Sequence, residues 1–178
     1  MPIIARAGSG TQYPPAPAGT HAAICVDVVD LGILEVTYSG KTKKQHKITI
    51  VWQIDEDRDD GKPHAVRKRY TLSLHEKAGL RKDLESWRGL PFTQEELDGF
   101  DVEVLVGKGC LLNIIHNVKD SNTYANVATI MKLPKMMEAP KARDYVRVCD
   151  RTPEDVSQAP PEVGYEYSGG ITDDDVPF

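Results

Sequence analysis

Two stretches of alternating hydrophobicity joined by a polar turn constrain this chain most. Over residues 45–56, Ile48, Ile50, Trp52 and Ile54 fall on one side, and Lys47, Thr49, Val51 and Gln53 on the other. Successive side chains of a strand point to opposite faces, so this period of two predicts a strand. The run that follows, Asp-Arg-Asp-Asp-Gly-Lys-Pro at 57–63, is a polar turn with an Asp-Gly hairpin signal. A second strand, 64–74, puts Val66, Tyr70, Leu72 and Leu74 on one face and Arg67, Arg69, Thr71 and Ser73 on the other. Lys68 falls on the apolar side, as expected near an open strand end. A lone hairpin is only marginally stable in water, so the apolar face requires more sheet or a helix against it.

The rest of the chain supplies both. Residues 1–18, rich in Gly, Pro and Ala, predict an extended arm, because prolines at this density cannot join a sheet interior. Ile24, Val26 and Val28 mark a first strand over 19–31; Gly32 interrupts it, and residues 34–38 continue it after a bend. Leu80, Leu84 and Trp87 form a helical stripe over 76–88, with Ser73 and Glu76 as a capping box and Gly89 and Pro91 as the stop. Thr93 and Glu96 start a second, short helix. Residues 100–106 read as an apolar strand. Residues 110–118 are apolar on both faces and should be central, and 123–133 form the last strand. Beyond Glu138 periodicity fades, which predicts a loosely packed connection over the start of 139–178 and a disordered acidic tail.

With 178 residues, the chain suits one domain and a tail. No stretch approaches the ~20 apolar residues of a membrane helix. No basic, then apolar, start suggests a secretory signal. Cys25, Cys110 and Cys149 are too scattered for a disulfide framework or a Cys/His zinc site, and Cys25 and Cys110 sit in apolar runs that suit buried free thiols. These features predict a cytoplasmic protein with no metal or other cofactor. The net charge of −5 conceals an asymmetry: eight acidic residues and one basic give 150–178 a charge of −7, leaving +2 for 1–149. A mildly basic body with an acidic tail is compatible with nucleic acid.

The chain ends Asp173-Asp174-Asp175-Val176-Pro177-Phe178. This resembles the acidic C-terminal tip of bacterial and phage single-stranded DNA-binding proteins, with Val176 where the bacterial tip usually has Ile. The middle of the chain is similar, more loosely, to phage-encoded members of that group. The resemblance implies an OB-fold body that holds the strand, in a bacterial host cell, and a tip that recruits replication and repair proteins. Phe178 would fill an apolar socket while the carboxylates meet cations at its rim. The expected order of three strands, a helix and further strands fits this fold. It is an all-β, five-stranded Greek-key barrel with a helix between strands 3 and 4. The domains are then an arm at 1–18, an OB-fold at 19–138, and a connection and tail at 139–178.

Sequence-independent binding of a single strand combines a positive groove with rings on which bases stack. The basic candidates are Lys41, Lys43, Lys44, Lys47, Arg67 and Arg69; the last two, two residues apart, project from one face. The aromatic candidates are Tyr38 and Tyr124, which flank turns, and Trp52 and Tyr70, whose parity with Ile and Leu also suits the core. His46, His64 and His116 read as structural. No phosphate-binding loop, zinc-protease helix or nucleophile elbow is present, so no enzyme is expected. Asp57, Asp59 and Asp60 could hold Mg²⁺ in a nuclease, but turn carboxylates are usually solvated. A rival reading is a protein that mimics the tip to occupy host sockets without holding DNA. An exposed sheet edge would allow homo-oligomers.

Overall fold

The computed structural model describes residues 14–152. The tip Asp173 to Phe178 and Tyr13 lie outside them. Five antiparallel strands form one sheet: β1 (Gly19–Tyr38), β2 (Lys41–Asp57), β3 (Pro63–Thr71), β4 (Gly109–Lys119) and β5 (Asn122–Met131). Their order is β3-β2-β1-β4-β5, and β5 also passes beside β3. Helices α1 (Gly79–Arg88) and α2 (Gln94–Asp98) lie between β3 and β4 in the chain. Among the described residues, no helix is long and apolar enough to cross a membrane.

The alternation of β2 does what its sequence requires. Ile48, Ile50, Trp52 and Ile54 are all buried in one core with Val66, Tyr70, Leu112, Ile114 and Ile130. The indole of Trp52 packs on Trp87 with ring centroids 6.0 Å apart. Leu80, Leu84 and Trp87 bury the predicted stripe of α1. Two side chains bolt this helix to the sheet: Ser86 Oγ donates to the Ile130 carbonyl at 2.6 Å, and Trp87 Nε1 to that of Gly109 at 2.8 Å. Lys68, on the core side of β3, reaches α1 rather than an open end. Its Nζ and the Tyr70 hydroxyl each donate to Asp83 Oδ2 at 2.7 Å.

The turns are chemically legible. Ser39-Gly40 and Asp120-Ser121 each have positive φ at both residues, the conformation that matches the twist of a two-residue hairpin. Gly32 has a φ of 71° at a register shift in β1 and donates its amide to Asp30 Oδ1, so the strand bends there and continues. Thr93 and Glu96 form the expected capping box.

Three expectations are corrected. Residues 100–106 are not a strand: Val102–Leu105 is a 3-10 turn, capped by Asp101, whose carboxylate accepts from the Glu103 amide. A local side-chain acceptor outcompeted the apolar pattern there. Ser73 does not cap α1; it accepts from the His75 amide, and the helix starts later, after Ala78. β4 is central only in its first half, since Ile115 to Lys119 are exposed and pair with β5 alone.

Cys25 and Cys110 are buried free thiols, and Cys149 is exposed. Burial pushes the Cys25 thiol up to about 12 and raises that of Cys110 as well. Thiolate is the reacting species. A disulfide reagent at pH 8 should therefore label Cys149 alone in the native protein and all three thiols after unfolding. Native Cys25 or Cys110 reacting as fast as Cys149 would contradict this core.

Candidate nucleic-acid interface

The outward face of β2 and β3 carries the predicted cations in register. Val51 lies opposite Arg67, Thr49 opposite Arg69, and Lys47 opposite Thr71. Directly paired residues share a face, so Arg67 and Arg69 do project together, away from the core. Arg69 is exposed and Arg67 half-buried. Lys47 is only 4% exposed: its Nζ donates to Thr71 Oγ1 at 2.7 Å, which anchors the amine to the sheet.

Beyond Ile33 and His46, whose carbonyl still accepts from the Leu72 amide, β1 and β2 pair with each other rather than with the rest of the sheet. They form a two-stranded arm closed by Ser39-Gly40. Lys41, Lys43 and Lys44 are exposed on it, as is Tyr38, which pairs with Lys41 at its tip. Lys44 approaches Glu35 at 3.9 Å with both side chains mostly solvated, a contact worth little. Ile33, at 69% exposure, adds an apolar side chain to the arm. A second arm, Ile115 to Asn126, projects from β4 and β5, with half-buried Tyr124 opposite Asn117 and Val118 exposed.

Two aromatic candidates leave the interface. Trp52 is fully buried and Tyr70 nearly so, and Tyr70 is bonded to Asp83. Neither ring face is available for stacking, because the parity that places them with Ile and Leu also encloses them. Burial and the Asp83 carboxylate hold the Tyr70 hydroxyl well above its usual range. Two of the three histidines read as structural have partners: His46 Nε2 meets Asp30 Oδ1 at 2.6 Å, and His116 Nε2 the Ala16 carbonyl at 2.7 Å. His64 is buried, which lowers its pKa. Among the turn aspartates, Asp57 is bonded to Arg143 and Asp60 to Arg58.

What the sequence reading lacked is a strap. Residues 139–150, expected as the start of a loosely packed connection, instead lie against the outward face. Gln53 exchanges two bonds with the Arg143 backbone, giving its amide hydrogen to the carbonyl at 2.6 Å and accepting from the N–H at 2.9 Å. Asp27, 1% exposed, accepts from the Tyr145 hydroxyl at 3.1 Å, Arg147 Nε at 3.0 Å and the Val148 amide at 2.8 Å. Arg147 Nη2 also donates to both carboxylate oxygens of Glu103, and the two carboxylates raise the pKa of Arg147. Burial, and then Asp27, push the Tyr145 phenol up to about 12. Asp27, Val51 and Arg67 form one row across β1, β2 and β3. The strap crosses that row and leaves Arg69, one row nearer the basic arm, exposed. The signal was present: Arg143, Tyr145 and Arg147 alternate, and Asp27 interrupts an apolar strand where a carboxylate must find partners.

No protein-family model matches this chain, and no curated protein matches it.

Asp27→Asn removes a charge and leaves one acceptor for three donors. Hydrogen bonds to a charged group are worth roughly 1.5–3 kcal/mol each, so a loss of about 2 kcal/mol is expected in urea unfolding. Trypsin should also cut at Lys141, Arg143 and Arg147 faster than in the wild type. Unchanged cleavage would show that Asp27 does not hold the strap.

Proposed function

We propose that this protein binds single-stranded DNA without catalysis and with little sequence preference. The observation that carries this reading is the basic arm continuing the outward face of β2 and β3. Lys41 and Lys43 stand exposed on the face of Tyr38, Lys44 is exposed on the other face of the arm, and Arg69 is exposed on the adjoining sheet. Phosphates meet cations and bases meet rings, the combination sequence-tolerant binders use. The body is read as an OB-fold, a Greek-key barrel. The strand order β3-β2-β1-β4-β5, with β5 beside β3, supports that reading. In this fold the face of strands 2 and 3 and the loops joining strands 1–2 and 4–5 contact oligonucleotides. Both arms grow from those two connections.

In this reading Tyr38 and Tyr124 are the stacking rings, and the strand runs from Arg69 along the lysines of the arm. Arg67, in the row the strap crosses, is a secondary contact. Asp173 to Phe178, outside the described residues, recruit replication and repair proteins, by resemblance to the acidic tip. The setting is phage replication and recombination in a bacterial cytoplasm, which rests on the same resemblance.

Fluorescence anisotropy with a labelled dT oligomer tests this. Each phosphate contact to a single strand contributes about 0.7 to the slope of log K against log salt. K43A/K44A/R69A should weaken binding and flatten that slope by about 2. Removing Asp173 to Phe178 should keep or tighten DNA binding while abolishing partner capture. A wild-type protein that ignores dT oligomers at low salt, with and without its last six residues, would instead favour the tip-mimicking interaction protein.

A further inference from the structure

At the edge of the body away from the basic arm, the start of β1 meets the end of β2. Ala23 faces Ile54 in register, so the residues after Ile54 run alongside those before Ala23. There His21 Nδ1 lies 3.8 Å from Asp55 Oδ1 and 4.0 Å from Glu56 Oε1. The ligand atoms of the three residues are all within 4.8 Å of one another. Consecutive strand residues normally point to opposite faces, so this meeting needs a cause. The register between β2 and β3 shifts between Gln53 and Asp57, so Asp55 and Glu56 lie in an irregular stretch of β2 where strict alternation need not hold.

The imidazole is prepared for a ligand. Its side chain is only 10% exposed, and Nε2 lies 3.0 Å from the Pro17 carbonyl, which can only accept. Nε2 therefore carries the proton in the neutral ring, and the lone pair of Nδ1 points at the carboxylates. This backbone-anchored tautomer is the arrangement found behind metal-bound histidines. Among the described residues, neither Asp55 nor Glu56 has another hydrogen-bond or ion-pair partner. Two adjacent carboxylates without a cation repel; a divalent ion turns that repulsion into ligation.

We propose that His21, Asp55 and Glu56 form a Zn²⁺ site with water as fourth ligand. One imidazole nitrogen and two carboxylate oxygens suit a borderline cation better than Ca²⁺ or Mg²⁺, which prefer oxygen alone. Tetrahedral zinc holds its ligand atoms about 3.4 Å apart. The observed separations close to that by small rotations of the two carboxylates, which are about half exposed. The ion would join the ends of β1 and β2 and, through His21, hold the segment containing Pro17.

Isothermal titration of the metal-free full-length protein with ZnCl₂ tests the site. One equivalent should bind in the wild type. Cys149→Ser and D173N/D174N/D175N, which remove other ligands for zinc, should bind equally well. D55N/E56Q, altering only half-exposed side chains, should bind at least about tenfold more weakly. Zinc should also raise the thermal midpoint of the wild type and not that of D55N/E56Q, because only the native wild type offers the site. Equal zinc affinity in wild type and D55N/E56Q, or no binding by the wild type, overturns the assignment. Neither readout involves DNA.

Discussion

The middle of β2 is buried on both faces, and the rest of the structure accommodates that. Inside, Ile48, Ile50, Trp52 and Ile54 meet the core. Outside, Lys47, Thr49, Val51 and Gln53 are buried too. A second layer is therefore needed over a sheet face made largely of polar atoms, and that layer must satisfy them. The strap does so with hydrogen bonds rather than apolar contacts. Gln53 takes both backbone groups of Arg143, and Asp27 takes three donors from Tyr145, Arg147 and Val148. A buried carboxylate left without those donors would be strongly unfavourable. The strap and Asp27 thus require each other, although 118 positions separate Tyr145 from Asp27.

Irregularities in the ladder then set where the arm and the His21 cluster lie. The shift at Gly32 bends β1 as it leaves the sheet, and from there the β1–β2 hairpin becomes an arm with backbone pairing but no third strand. The shift between Gln53 and Asp57 leaves Asp55 and Glu56 in an irregular stretch of β2 beside His21. The start of the strap meets a tighter constraint. A Cβ at Gly109 would collide with Ala139, so only glycine lets the chain cross the head of β4 there. The same Gly109 gives its carbonyl to Trp87, which ties helix, strand and strap at one point.

Much of this was legible in sequence, for physical reasons that differ by element. Strands β2 and β3 and helix α1 could be read because burial imposes periods of two and 3.6 on their side chains. The faces of Arg67 and Arg69 followed from the same parity, as did the burial of Trp52 and Tyr70. Residues 100–106 misled because an apolar composition does not fix backbone geometry when Asp101 offers a local acceptor. The strap was missed because its contacts are polar and distant in sequence. Its Arg-x-Tyr-x-Arg alternation becomes meaningful only once Asp27 is known to be buried. His21 and Asp55 lie 34 positions apart and share no spacing rule, so only the fold brings them together.

Charge follows the same geometry. The three lysines of the arm, Lys41, Lys43 and Lys44, have one acidic residue, Glu35, on the opposite strand. The opposite edge of the body gathers Asp55, Glu56, Asp57, Asp59 and Asp60, offset locally by Arg58 and Arg143. A domain with a charge near zero is therefore electrically polarised along β2, from lysines at its start to carboxylates at its end. A polyanion approaching such a domain is repelled by one end and drawn to the other, which orients it before contact. The guanidinium groups of the strap are held by carboxylates, Arg143 by Asp57 and Arg147 by Asp27 and Glu103. Cations that a composition count assigns to the whole surface are in fact neutralised on one half. The exposed positive charge of β2 is left on the arm, along which the proposed polynucleotide path runs.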